Sequence, residues 1–88
     1  MDEKKDYIHK LAAFLNDNNK VMSGEELAEH LNRNDFTTSY GTKYQGGIGT
    51  YRLISETYKW TCENFGEDAA EKVARAFVTP SREYAFEK

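Results

Sequence analysis

The chain has few of the residues that define several protein classes. Its 88 residues include one cysteine, one proline and six glycines, and they contain no long apolar run. A single cysteine cannot form a disulfide within the chain, which excludes a disulfide-stabilised scaffold. No window approaches the roughly 20 apolar residues that a membrane-spanning helix needs, so no membrane partner is expected. An unpaired thiol suits a reducing compartment, and the cytoplasm is the predicted location.

The aromatic content predicts a folded domain. Five phenylalanines, six tyrosines and one tryptophan supply the core material that disordered chains lack. The length fits one domain over residues 1–88 and leaves no room for a second core. The formal net charge of -3 argues mildly against a general polyanion binder, provided that the charge is evenly distributed.

Two helices are predicted in the first part of the chain. Apolar residues between Ile8 and Leu15 recur at i, i+3, i+4 and i+7, the spacing of an amphipathic helix over about residues 6–16. Ser23, followed by Glu26 three residues later, forms the pattern of a capping box. A second helix is therefore expected to begin directly after Ser23.

Two more helices and a strand pairing are predicted in the rest of the chain. The third helix covers about residues 50–65 and stops at Gly66. A fourth helix follows it, and its apolar face runs from Ala69 or Ala70 through Val73 and Ala74 to Phe77. Alternating residues in the tail predict a short strand over 83–87 that pairs with residues 20–22. The fold class is therefore mainly α, with about four helices and a minor β component. The predicted core consists of Ile8, Leu11, Leu15, Val21, Leu27, Leu31, Leu53, Ile54, Val73 and Phe77.

Residues 8–31 resemble the opening of a winged helix-turn-helix domain. The resemblance is carried by the apolar stripe of the first helix and by the run Lys20-Val21-Met22-Ser23-Gly24-Glu25-Glu26-Leu27-Ala28-Glu29-His30-Leu31. Many such domains have a short strand, a Ser/Thr cap and a second helix with a Glu-Leu-Ala-x-x-Leu type of pattern. The resemblance implies DNA binding and a regulatory role.

The second half of the chain departs from that family's pattern. In the family, a recognition helix usually follows the second helix after a short turn, whereas here a loop over residues 36–49 intervenes. A two-stranded wing with basic residues is also expected in the family. This sequence predicts another helix and a single strand in its place, so the DNA-reading part is altered or lost.

Charge is distributed unevenly along the sequence. Residues 1–32 carry a net charge of -3, residues 33–62 carry +2, and residues 63–88 carry -2. Neither Asp nor Glu occurs between Asp35 and Glu56. This acid-free window is the part of the sequence that would attract an anion most strongly.

The candidate contact residues lie in or next to the acid-free window. Glycines before the third helix allow close backbone approach, and the start of a helix suits a phosphate. Lys43 and Arg52 add charge, Tyr40 and Tyr44 can stack on unpaired bases, and Gln45 can read a base edge. The predicted contacts are Arg33, Tyr40, Lys43, Tyr44, Gln45, Gly46, Gly47, Gly49, Thr50, Tyr51 and Arg52.

Three interpretations of this window stay open. The first is contact with duplex DNA through the 36–52 loop and the helix start. The second is a packed surface loop whose tyrosines cover the core. The third is a protein-interaction module that kept the fold and lost DNA binding, which the acidic flanks favour because they repel phosphate. Tyr and Arg are also enriched at protein interfaces, and a homodimer is compatible with each interpretation.

Catalytic and metal-binding patterns are not recognisable in this sequence. His9, His30 and Cys62 are the only soft ligands, and no Cys-x-x-Cys or His-x-x-x-His spacing occurs. Ser23 is better explained as a helix cap than as a nucleophile. We therefore expect a protein without enzymatic activity, metal or cofactor.

Overall fold

The computed structural model describes residues 3–38, 40–45 and 49–79. Its helices are α1 (Glu3–Asp17), α2 (Gly24–Arg33), α3 (Thr50–Phe65) and α4 (Glu67–Ala76). Its strands are β1 (Met22–Ser23) and β2 (Phe77–Val78). The predicted fold class, mainly α with four helices and one short strand pairing, is confirmed. None of these helices is both long and apolar enough to cross a bilayer.

Local signals in the sequence determine where the helices begin and end. The capping box is confirmed: the Glu26 N–H donates to Ser23 Oγ at 3.1 Å, and the Ser23 N–H donates to Glu26 Oε1 at 3.2 Å. After α2, Asp35 adopts a positive φ of 62° and the Phe36 N–H donates to the Leu31 carbonyl at 3.0 Å. Asn19 adopts a similar φ of 54° after α1. Asn and Asp tolerate this left-handed conformation better than most other side chains, which explains why polar segments end both helices.

The two strands form a short parallel ladder. Met22 lies opposite Phe77, and Ser23 lies opposite Val78. The predicted partner, residues 83–87, lies outside the described residues, and β1 pairs with β2 in its place. Phe77, which helical periodicity placed on the fourth helix, follows the end of that helix at Ala76. Its aromatic side chain and the β-branched Val78 are both buried, as strand residues commonly are.

The core combines one face of each helix with Phe77 of β2. The predicted core residues that are buried are Ile8, Leu15, Leu27, Leu31, Ile54, Val73 and Phe77. Leu11 and Leu53 are partly buried against them. The prediction for Val21 is wrong, because this residue precedes β1 and its side chain is 40% exposed.

Threonines fill the part of α3 that faces the core. Three threonines are fully buried, although a core predicted from apolar residues alone does not include them: Thr50, Thr57 and Thr61. The Thr57 hydroxyl donates to the Leu53 carbonyl at 2.7 Å, one turn earlier in the helix. This hydrogen bond within the helix satisfies the hydroxyl and leaves the methyl group available for packing.

Candidate functional site

An open cavity of about 860 Å³ lies between the first turn of α1, the segment 38–45 and the start of α3. Its charged lining residues are Lys4, Lys5, Lys43, Arg52 and Glu56. Its polar and aromatic lining residues include Thr38, Tyr40, Thr42, Tyr44 and Gln45. The described wall of the cavity therefore carries four cations and one carboxylate, in a chain whose formal net charge is -3.

Tyr44 attaches the segment 38–45 to the helices. The side-chain amide of Asn32 on α2 pairs with the Tyr44 backbone in both directions, accepting from its N–H at 2.8 Å and donating to its carbonyl at 2.9 Å. Lys4 Nζ on α1 donates to the Tyr44 hydroxyl at 2.7 Å and also to the Thr37 carbonyl. Tyr44 lines the cavity, but it is only 8% exposed, so the faces of its ring are largely covered.

Tyr40 is presented by a hydrogen-bonded turn. The Thr38 N–H donates to the Thr42 carbonyl at 2.8 Å, and the Gly41 N–H donates to the Thr38 carbonyl at 2.9 Å. The hydroxyls of Thr38 and Thr42 lie 2.8 Å apart, within hydrogen-bond distance. Gly41 has a φ of +78°, a conformation that glycine adopts without strain. The Tyr40 side chain at this turn is 90% exposed and borders the cavity.

The start of α3 forms another part of the wall. Gly49, the N-cap residue, has a φ of +80° and supplies no side-chain acceptor, and the first turn contains no acidic residue. Thr50 is fully buried. Tyr51 packs on Gly24 of α2, whose N–H donates to the Tyr51 hydroxyl at 3.3 Å. A Cβ at Gly24 would lie 2.6 Å from the Tyr51 ring, so this contact requires glycine. From this turn, Arg52 is the side chain that is exposed at the cavity.

The arginines of the predicted site form weak surface ion pairs. Arg52 Nε lies 3.4 Å from Glu56 Oε1, and Arg33 lies 3.6 Å from Glu29. All four side chains are at least half exposed, and ion pairs of this kind contribute about 0–1 kcal/mol. Such a pair can exchange its carboxylate for a phosphate at low energetic cost. Arg33 is not among the residues that line the cavity.

The structure brings together only part of the predicted contact set. Tyr40, Lys43, Tyr44, Gln45, Gly49 and Arg52 line the cavity. Gly46 and Gly47 lie outside the described residues. Two cations of the wall, Lys4 and Lys5, were missed because they belong to the acidic N-terminal third of the sequence. The spacing of residues along the sequence does not indicate these two lysines. They line the cavity because the first turn of α1 lies next to Tyr44 in the folded chain.

His30 on α2 lies in a partly buried aromatic environment. Its ring centroid lies 5.6 Å from that of Tyr7, which in turn lies 5.2 Å from that of Phe36. Burial, and secondarily the positive charge of Arg33, lowers the pKa of His30 below its usual value. Burial also raises the pKa of the Tyr7 hydroxyl. The folded protein therefore disfavours a proton on His30 relative to the unfolded chain.

Acidification should destabilise the fold through His30. Because its folded pKa lies below its unfolded pKa, the unfolded chain takes up the proton first, and stability decreases as the pH falls through about 6.5 and below. We expect His30→Gln to lose less of its Tm than the parent protein between about pH 7.5 and pH 5.5. Thermal melts followed by circular dichroism measure this difference. Identical pH profiles for the two proteins would contradict a lowered pKa.

Comparison with known proteins finds no matching family model, no similar curated protein and no similar solved structure. Metal ligation has no obvious place either: among residues 3–38, 40–45 and 49–79, no three His, Cys, Asp or Glu side chains gather into a possible metal site. The features of the molecule that bear on its function are therefore the cavity and its charged wall.

Proposed function

We propose that this protein binds DNA through the cavity and acts as a small regulatory domain in the cytoplasm. The observation that supports this proposal is the charge of the wall, with four cations and one carboxylate. In a chain with more acidic than basic residues, such a concentration of positive charge attracts a polyanion to one place on the surface. The resemblance of residues 8–31 to winged helix-turn-helix domains is compatible with this function and stays a prediction.

The helix start adds to the attraction for phosphate. A helix N-terminus carries partial positive charge and N–H groups that lack partners within the helix. In α1, α2 and α4 the first turn contains acidic residues, which offset that charge, whereas α3 has none. Lys43 and Arg52 are exposed beside this turn and can reach a phosphate that approaches it. Lys, Arg and helix N-termini are common phosphate contacts in protein–DNA complexes.

A protein partner is the second candidate function, and an aromatic cluster favours it. Phe65 at the end of α3 is 52% exposed, and its ring stacks on His9 with the centroids 4.5 Å apart. Trp60 lies against the same ring at 5.6 Å. Exposed aromatic side chains are enriched at protein interfaces, and none of these three residues lines the cavity. Binding to a protein would therefore use a different surface from binding to DNA.

A salt titration of DNA binding tests the first candidate. Fluorescence anisotropy with a labelled mixed-sequence DNA should detect binding at about 50 mM salt, with an affinity that falls as salt rises. The double variant Lys43→Ala/Arg52→Ala should bind at least about tenfold more weakly, and the slope of log K against log salt should decrease by about 2.

The matched control changes the same residue types on α4. Lys72 and Arg75 are exposed, and Arg75 pairs with Glu71 one turn earlier, as Arg52 pairs with Glu56 one turn later. Lys72→Ala/Arg75→Ala should keep the parent affinity, since neither residue lines the cavity. An absence of DNA binding at low salt, or an equal loss of affinity in both double variants, would contradict the proposal.

A further inference from the structure

We propose that the DNA bound in this cavity is an unpaired strand, whose base stacks on Tyr40 while Lys43 and Arg52 contact the neighbouring phosphates. This inference depends on the proposed function and specifies the state of its ligand. It rests on the shape of the cavity, the exposure of Tyr40 and the presence of Lys43 and Arg52 in the same lining.

Tyr40 has the properties of a stacking platform. Its ring is almost fully exposed, although tyrosines in a domain of this size usually cover the core, as Tyr44 does here. The turn that carries it is held by hydrogen bonds between Thr38 and Thr42 and by the Gly41 N–H. Hydrogen bonds on both sides of Tyr40 favour one conformation of the turn, and such preorganisation lowers the entropic cost of binding.

Two cations line the same cavity as Tyr40 and can contact the phosphates of a strand whose base stacks on that ring. Lys43 follows Tyr40 by three residues along the same segment, and both side chains border the cavity with Arg52. Proteins that bind single strands combine a positively charged groove, which follows the backbone, with aromatic rings that stack on the bases. Tyr40, Lys43 and Arg52 supply both parts within one cavity.

Duplex DNA fits this surface less well. A major groove about 12 Å wide receives a protruding helix or ribbon, whereas the first turn of α3 borders a concave surface. In that turn Thr50 is buried and Tyr51 packs on Gly24. Leu53 is half-buried at the cavity, so Arg52 is the one exposed side chain of the turn. In a duplex the base faces are already stacked on one another, and Tyr40 would have no face to contact along the helix.

Oligonucleotide binding distinguishes these states. The probes are a fluorescent strand of about ten thymidines, an abasic strand of the same length and a duplex of the same length, all at low salt. The thymidine strand should bind most tightly. Tyr40→Ala should weaken its binding about tenfold while leaving binding of the abasic strand unchanged, and Tyr40→Phe should keep most of the affinity because it keeps the ring. Phe14→Ala, which removes an exposed aromatic ring that does not line the cavity, should bind like the parent protein.

The possible failures are separable. If the duplex binds as tightly as the thymidine strand, or if Tyr40→Ala binds both strands like the parent protein, the stacking proposal is overturned while phosphate binding by Lys43 and Arg52 stands. If none of the three probes binds at low salt, the proposed function fails and the stacking proposal fails with it.

Discussion

Replacing Phe77 with alanine should lower the free energy of unfolding by about 3–5 kcal/mol, the usual cost of deleting a buried phenylalanine side chain. Phe77 is fully buried and is the largest of the fully buried side chains in the described residues. It also lies in the strand ladder opposite Met22. The substitution removes a ring from the buried cluster to which residues of all four helices contribute, and it leaves a cavity there.

Urea unfolding followed by circular dichroism measures this loss. Phe14→Ala is the matched control, because it removes the same ring from a side chain that is 58% exposed. We expect the control to change the free energy of unfolding by no more than about 0.5 kcal/mol. Similar losses for the two variants would mean that β2 does not lie in the core.

Replacing Asn32 with alanine should have the second-largest effect, and it should affect both stability and binding. The change removes both hydrogen bonds to the Tyr44 backbone and leaves that N–H and carbonyl without their partner in a part-buried position. Leaving a buried polar group unsatisfied costs about 1–3 kcal/mol. Because Tyr44 attaches the segment that carries Tyr40 and Lys43, DNA binding by this variant should also weaken.

Asn34→Ala is the control for this prediction. Asn34 also donates its side-chain amide to a backbone carbonyl, that of His30 at 2.8 Å, but it lies on the exposed end of α2. We expect a change of about 0.5 kcal/mol or less in urea unfolding, and the parent affinity in anisotropy measurements. If both asparagine variants lose the same stability, the amide pairing with Tyr44 does not hold the segment.

The parts of the fold that the sequence predicts are those with local causes. Ser23 and Glu26 satisfy each other's backbone groups within one turn, so the start of α2 can be read from four consecutive residues. The bounds of α3 follow in the same way from the glycines at its two ends. The apolar spacing of α1 and α2 also identifies the buried face of each helix correctly.

The parts of the fold that the sequence did not predict depend on contacts between segments that are distant in the chain. The partner of β1 could not be chosen from alternation in the tail, because the pairing accompanies burial of Phe77 and Val78, which alternation does not indicate. Thr57 can be buried because its hydroxyl donates to the Leu53 carbonyl of the same helix. A scale of side-chain polarity takes no account of such a hydrogen bond. The helical spacing of apolar residues likewise predicted that α4 extends to Phe77, because this spacing does not indicate where the strand ladder forms.

The candidate site likewise combines residues that the sequence indicates with residues that only the fold brings to the cavity. Lys43 and Arg52, which both lie in the acid-free window, line one cavity because the loop and the start of α3 both border it. The positive charge of residues 33–62 also suggested Arg33, which lies on α2, is not among the lining residues and pairs with Glu29. Lys4 contributes to the cavity only because it reaches across from α1 to the Tyr44 hydroxyl, a contact between residues 40 positions apart.

The parallel ladder also bears on how this chain folds. Pairing Met22 with Phe77 closes a loop that contains α2, α3 and α4, and closing a long loop costs entropy that two residue pairs cannot repay. The ladder can therefore persist only after the helices between its strands have packed. Neither half of the chain contains both strands, so we expect the residues from β1 to β2 to unfold together.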